Sequence, residues 1–354
     1  AASDPRIFTS PQSVSLGLIR PGELGSAQIS LADAGGGSGV WDVTVSEDSP
    51  SNRVAIRVGK VVTVPGTVTV AVSVAGTAPG AEHSGSIVLE QDGVRRRVPY
   101  WFRVARTRLN TRGASTLRRA GTYAGDTSGR RARVDRYRYP ERPWAAALAG
   151  PEQTFAVNVT RPVANLGVAI IKRSSGVGVE PRIVMDGDEN RLAGAGSLPF
   201  VANPFQRSLG GPALIAAVLK PQTGRYTVVF DSRSRQDAGA FRFRFWINDL
   251  VPPTIHVPDR VARGEALRVR VRDRGSGVDP RSLLVRVDQG GLGPAVWDRK
   301  RREIRIDTRG LAAGRHTVVV RAADRQEAKN TENTGPILPN TREVTASFVV
   351  RGPA

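Results

Sequence analysis

Apolar and polar residues alternate with a period of two through most of the chain, and no stretch sustains the spacing of an amphipathic helix. Over 67–74, Val68, Val70, Val72 and Val74 share one face, while Thr67, Thr69, Ala71 and Ser73 share the other. A second strand is predicted at 86–90, and Asp92-Gly93 turns it into a returning strand. That strand sets Val98, Tyr100, Phe102 and Val104 against Pro99, Trp101 and Arg103. Pro99 has no N–H to give a ladder, which predicts an edge position or a bulge. Further strands are predicted near 155–159, 167–172, 181–185, 213–219 and 226–231. At 241–247, Phe241, Phe243, Phe245 and Ile247 lie opposite Arg242, Arg244 and Trp246, and the Phe residues concentrate between Phe200 and Phe245. Beyond Leu250-Val251-Pro252-Pro253, Leu267, Val269 and Val271 alternate with Arg268, Arg270 and Arg272. Strands near 283–287, 303–306, 317–322 and 344–350 follow.

This pattern predicts an all-β protein of three antiparallel β-sandwich domains in tandem. A length of 354 residues suits two or three domains of about 100–150 residues each. The first spans 1–105. The second spans 106–250 and opens with a linker to about 140, rich in Arg, Gly, Ser and Thr. The third spans 251–354, where about seven short strands over roughly 100 residues give the immunoglobulin-like signature without its disulfide.

The net charge of +20 raises the question of nucleic acid. Only five of the 52 basic residues are Lys, and Arg punctuates nearly every strand instead of clustering beside stacking aromatics. The bias reads as codon usage in a GC-rich genome, with no specific nucleic-acid site expected. There is no Cys, which excludes disulfide frameworks, thiolate metal sites and cysteine nucleophiles. No apolar run reaches about 18 residues, so no membrane helix is predicted. The start AASDPRIF has neither Met nor a basic-then-apolar leader and reads as a fragment or processed product.

The strings GTVTVAVSV, HSGSIVLEQDGVRRR and VPYWFRV resemble the fibronectin type III-like domain that follows the catalytic domain in bacterial subtilisin-like serine proteases. YRYPE, GDENRLAG and GRYTVVFDS resemble the pre-peptidase-type, jelly-roll-like β-sandwich appended to secreted peptidases. PPTI, DRGSGVDP and LAAGRHTVVVRAAD are similar to bacterial immunoglobulin-like modules. Together the resemblances cover nearly the whole chain. They imply a non-catalytic accessory region, monomeric and extracellular, of a secreted bacterial protease whose catalytic domain lies upstream in the same parent chain. Such a region would brace that domain and dock it on protein substrate or anionic cell-wall polymer. The alternative is a free-standing adhesin of the same modules. The Gly-Thr-Ser-type nucleophile motif and the catalytic His and Asp motifs of that family do not occur here, and no catalytic residue is assigned.

Candidate chemistry is sparse. A Ser-His-Asp site has only His83, in the turn GAEHSGS, His256 and His316 to draw on. No cofactor is required by any motif, but a structural calcium is a candidate. Asp186, Asp188 and Asn190 place oxygen ligands at alternate positions of an acidic loop. An EF-hand would need Gly and Glu where Arg191 and Ser197 stand, so that motif fails. Asp273, Ser276, Gly277 and Asp279 form a second oxygen-rich loop, in residues that a tight turn also demands. Trp101 and Trp246, each opposite a core-facing row, are the candidate ligand-binding aromatics.

Overall fold

A computed structural model of the chain describes residues 6–138, 145–195, 214–326 and 340–352. Strands dominate, and the described residues include no α-helix. The chain divides into two compact units, one built on residues up to Arg108 and the other on residues from Leu109 onward.

The first unit contains β1 (Ile7–Ser10), β2 (Val14–Ile19), β3 (Leu24–Asp33), β4 (Gly39–Glu47), β5 (Val54–Arg57), β6 (Val61–Val64), β7 (Gly66–Val74), β8 (Ala81–Gln91) and β9 (Val94–Val104). They form two sheets, ordered β1-β3-β7-β5 and β2-β9-β8-β4-β6. The period of two decides the faces. Val68, Val70, Val72 and Val74 turn into a core with Ile29, Trp41, Ile87 and Phe102. Trp41 is wholly buried, and its Nε1 donates to Gly37 O at 2.8 Å, which satisfies its polar end. Pro99 lies opposite Ser86 of β8, but pairing with β2 begins only at Tyr100. At Pro99, β9 is therefore unpartnered on that side, as suits a residue with no N–H to give. The bulge falls in β2 instead, between Ser15 and Gly17.

The second unit holds two sandwiches. The first of them comprises β10 (Ser115–Thr116), β11 (Gly121–Asp126), β12 (Arg136–Arg138), β13 (Ala145–Ala147), β14 (Glu152–Val159), β15 (Asn165–Arg173), β16 (Val179–Met185), β17 (Leu192–Ala195), β18 (Ile215–Leu219), β19 (Gly224–Ser232) and β20 (Ala240–Ile247). The order β11-β20-β15-β18 faces β14-β19-β16-β17, the strand arrangement of a jelly roll, with β10 added at one edge. Its core centres on aromatic rings: Phe230 lies 4.6 Å from Phe241 and 4.5 Å from Phe243. Phe200 and Phe205 fall outside the described residues.

The segment expected to be a basic linker is, from Leu109 on, part of this sandwich. β11 pairs with β20 from Gly121–Phe245 to Asp126–Ala240, and Tyr123 stacks on Phe243 at 5.6 Å. Leu109, Val134 and Tyr137 then cover Val184, Leu192 and Val229 on the outer face of the five-stranded sheet. Composition hides this role, because Arg112, Arg118, Arg119, Arg130, Arg131, Arg133 and Arg136 are all exposed while a few widely spaced apolar residues do the packing. Beneath this cover sits a buried polar group of Glu152, Glu180, Arg182 and Asp231. Arg182 donates to Glu180 Oε2 at 3.4 Å and lies 5.7 Å over the Tyr137 ring. Burial pushes the Asp231 carboxyl well above the usual range, although Arg182 pulls it down.

The last sandwich comprises β21 (Thr254–His256), β22 (Arg260–Val261), β23 (Leu267–Arg272), β24 (Leu284–Val287), β25 (Gly293–Pro294), β26 (Val296–Asp298), β27 (Glu303–Ile306), β28 (Gly314–Ala323) and β29 (Thr341–Val350). Its sheets, β21-β23-β27-β26 and β22-β29-β28-β24-β25, reproduce the immunoglobulin arrangement of strands A-B-E-D against G-F-C. Leu267, Val269 and Val271 enter the core, and Arg268, Arg270 and Arg272 point to solvent.

Candidate functional site

The joint between the jelly roll and the last sandwich begins on the outer row of β20. Trp246 is fully buried there, and its Nε1 donates to Gln326 Oε1 at 2.8 Å, just beyond β28. Gly167 makes room for the ring, since a Cβ at that position would lie 2.3 Å from Trp246 Cζ2. Arg244 donates through Nε to Gly275 O at 2.7 Å and through Nη2 to Arg274 O. On the face that alternation set opposite the Phe row, Arg244 and Trp246 are therefore spent on binding the neighbouring sandwich, while Arg242 stays exposed.

Past β20, Asn248 adopts a left-handed φ of 55°, a region that Asn tolerates better than most residues. Its N–H donates to Asn165 O at 2.7 Å, and its Oδ1 accepts from Ala164 N at 2.9 Å. Asn165, itself wholly buried, brackets the next residue: its Oδ1 accepts from Asp249 N at 2.8 Å and its Nδ2 donates to Asp249 O at 2.7 Å. This fixes Asp249 so that its Oδ2 accepts from Ser276 N at 2.5 Å. No side chain fits at Gly275, where a Cβ would come within 2.2 Å of the Asp249 carboxylate.

Asp249 meets two further carboxylates. Asp249, Asp273 and Asp324 each offer an oxygen within 4.8 Å of the others. Asp249 and Asp324 are buried and Asp273 is half-buried. Burial raises the Asp273 carboxyl, the Gly277 N–H opposes this, and the Asp249 charge adds to the rise. Of the second oxygen-rich loop read in the sequence, Asp273 joins this group and Ser276 contributes its N–H. Asp279 does not, because it caps the short 3-10 turn Pro280–Ser282 by accepting from Arg281 N at 3.1 Å. Asp249 and Asp324 carry no local motif. The signal for them lay in position: one precedes the Pro-Pro junction, and the other ends the strand read in HTVVVRAAD.

The acidic loop at Asp186 is a tight connection between β16 and β17. Asp186 pairs with Arg191, and Asp188 is buried, its Oδ1 accepting from Asn190 N at 2.9 Å and Asn190 Nδ2 at 3.1 Å. Glu189 ties the loop to the covering segment, accepting from Leu109 N at 3.3 Å through Oε2 and from Arg138 N at 2.9 Å through its carbonyl. Trp101 is half-buried on β9, beside the Arg103–Glu82 ion pair at 2.7 Å. Arg112, Arg130, Arg131 and Arg133 line a cleft of about 280 Å³ with Glu152 at one wall.

The histidines are dispersed. His83 lies within β8, not in a turn, and stacks on Phe102 at 5.0 Å. His256 is exposed on β21. His316 has Nδ1 at 2.7 Å from Asp288 Oδ2, but Nε2 faces Ala312 O at 2.8 Å, so a carbonyl occupies the position that a nucleophile would need. Two acceptors favour the protonated ring, and the Asp288 bond, with Ala312 O second, raises the His316 pKa above its ordinary 6.5. Its stabilising contribution is thus fully present below about pH 6.5 and lost as pH rises through the higher folded value. NMR titration of the His316 ring is expected to give a midpoint above 6.5 that Asp288→Asn lowers; a wild-type midpoint at or below 6.5 would refute the pairing.

No family model matches the chain, and no curated protein matches it. Several solved structures align over most of its length. Tripeptidyl peptidase 2 aligns at 10% identity and a TM-score of 0.25, over 91% of this chain and 27% of that one. An endo-fucoidan hydrolase of glycoside hydrolase family 107 aligns at 10% identity and a TM-score of 0.25, over 99% of this chain and 44% of that one. The adhesin domain of Epf from Streptococcus pyogenes aligns at 7% identity and a TM-score of 0.23, over 66% of this chain and 93% of that one. The chain spans less than half the length of the first two. At these TM-scores the likenesses carry no functional argument.

Proposed function

We propose that the chain is a non-catalytic accessory region of a larger secreted bacterial protein, a serine endopeptidase of the subtilisin-like kind, which it braces and docks on protein substrate or anionic cell-wall polymer. The observation that carries this reading is the joint. A sandwich whose outer Trp and Arg are committed to its neighbour serves as a stiff spacer, whereas a catalytic module needs a cleft with convergent titratable groups. The order of modules along the chain, a β-sandwich, then a jelly roll, then an immunoglobulin-type sandwich, accords with the sequence resemblances to protease tails. The exposed Arg residues around the cleft at Arg130 and Arg131 offer charge to an anionic polymer, by a salt-sensitive and sequence-independent attraction.

Reading the coding sequence upstream of Ala1 tests the parent directly. A subtilisin-like domain with its Asp, His and Ser motifs is expected; a wall anchor or further sandwiches would place the chain in an adhesin instead. Independently, a fluorophosphonate probe is expected to leave the purified chain unlabelled, and covalent labelling would defeat the non-catalytic reading.

A further inference from the structure

We infer that two adjoining basic clefts, on the turns before β10 and after β11, bind a linear phosphodiester polymer with small, hydroxylated, non-aromatic linkers. The inference rests on the docking reading above and names its ligand; it does not depend on a protease parent.

The clefts are built by the segment that covers the five-stranded sheet. Its two turns pass through Gly113 and Gly129 at left-handed φ of 73° and 68°. They close where Thr111 O accepts from Ala114 N at 3.2 Å and Thr127 O accepts from Arg130 N at 3.3 Å. Arg112, Arg130, Arg131 and Arg133 line the first cleft, of about 280 Å³. Arg130, Arg131 and Arg235 line the second, of about 620 Å³, so the two meet at Arg130 and Arg131.

Composition alone does not account for this surface. Five Arg and one acid line the clefts, whereas the whole chain carries 52 basic and 32 acidic residues. The one acid, Glu152, is already engaged: both its oxygens accept from Arg133 N at 3.0 Å, and the Arg133 charge acts on it. Arg130 acts on Asp126, whose carboxylate accepts from Ser128 N at 2.8 Å, and Arg130 Nε donates to Asp126 O at 2.6 Å. Among the described residues, Arg112, Arg131 and Arg235 form no ion pair, and all five guanidinium-bearing residues are exposed. Like charges gathered in a cleft raise the local concentration of anions.

The rest of the lining selects the ligand. Among the described residues, no aromatic and no large aliphatic side chain lines either cleft. A nucleic-acid strand would find no ring on which to stack its bases, and an acidic peptide would find no apolar pocket for its side chains. The clefts offer Arg forks for phosphate oxygens, with Asn110 and Ser115 beside them for hydroxyl groups.

The experiment is calorimetric titration of the full chain with poly(glycerol phosphate) over a range of salt concentrations. Oligo(dT) and poly-glutamate of equal charge serve as comparisons. Five phosphate contacts predict a slope of about −3.5 in log K against log salt. The triple variant Arg112→Gln, Arg130→Gln, Arg131→Gln removes three contacts, so affinity should fall roughly a hundredfold at about 0.1 M salt and the slope should shrink by about 2. Arg268→Gln, Arg270→Gln, Arg272→Gln removes the same charge from an exposed row on β23 and should leave both unchanged. Equal losses in the two triple variants would overturn the site and leave docking by overall charge standing. Tighter binding of oligo(dT) or poly-glutamate than of poly(glycerol phosphate) would overturn the choice of ligand. A wild-type chain that binds none of the three polymers at low salt would overturn the inference together with docking on anionic polymer.

Discussion

Replacing Trp246 by Ala is expected to uncouple the two sandwiches of the second unit, so that they unfold in separate steps. The indole is fully buried outside the aromatic core of the jelly roll, so truncation empties the joint and leaves Phe230, Phe241, Phe243 and Phe245 in place. Emptying a fully buried aromatic site costs about 3–5 kcal/mol, which for a unit of this size lowers the midpoint by roughly 10 °C. Trp246→Phe separates packing from hydrogen bonding. It keeps most of the ring and strands Gln326 Oε1, which is held at 2.8 Å in the wild type, at an expected cost of about 1–3 kcal/mol. Two resolved transitions in Trp246→Ala and one in Trp246→Phe would fit. A Trp246→Ala chain that melts like the wild type would show that the ring does not hold the joint.

Arg182→Met is expected to destabilise the jelly roll by about 3–5 kcal/mol, because it leaves Asp231 a buried acid without the guanidinium that acts on it, while Glu180 keeps only its pair with Arg233 at 2.9 Å. The loss should depend on pH, with a sign set by Asp231. Burial raises its folded pKa, so the folded state binds the proton more tightly than the unfolded state does. Stability therefore falls as pH rises from the ordinary carboxylate range, about 3.9, through the raised folded value. Removing Arg182, which pulls that value down, should deepen the fall. Urea midpoints at acidic and neutral pH should diverge more in Arg182→Met than in the wild type, and adding Asp231→Asn should bring them together again. Equal losses at both pH values would contradict the assignment of the buried charge to Asp231.

The extent to which these sites were legible in the sequence follows from how local their signals are. Strand faces depend on a period of two, and the rows at Val68, Phe241 and Leu267 show it within a single strand. The same reading placed Trp246 opposite the core, but alternation distinguishes only the two faces of a strand. It does not report whether a second sandwich covers the outer one. The covering segment after Leu109 was concealed for a different reason. Its contacts are made by Leu109, Val134 and Tyr137, spaced too widely to form a pattern, amid exposed Arg. Asp273 stood out in an oxygen-rich turn, whereas its partners Asp249 and Asp324 come from the ends of β20 and β28 and meet only after three loops converge. The loop at Asp186 was the more conspicuous of the two in sequence because its acidic residues are contiguous, and contiguity is what a tight, hydrogen-bonded turn also supplies.

The most direct measurement of the locked joint is differential scanning calorimetry of the intact chain. Two transitions are expected, one for residues up to Arg108 and one for the unit from Leu109 onward, the latter with equal calorimetric and van't Hoff enthalpies. Three separate transitions would show that the jelly roll and the last sandwich unfold independently, and the brace would then be a flexible string of modules.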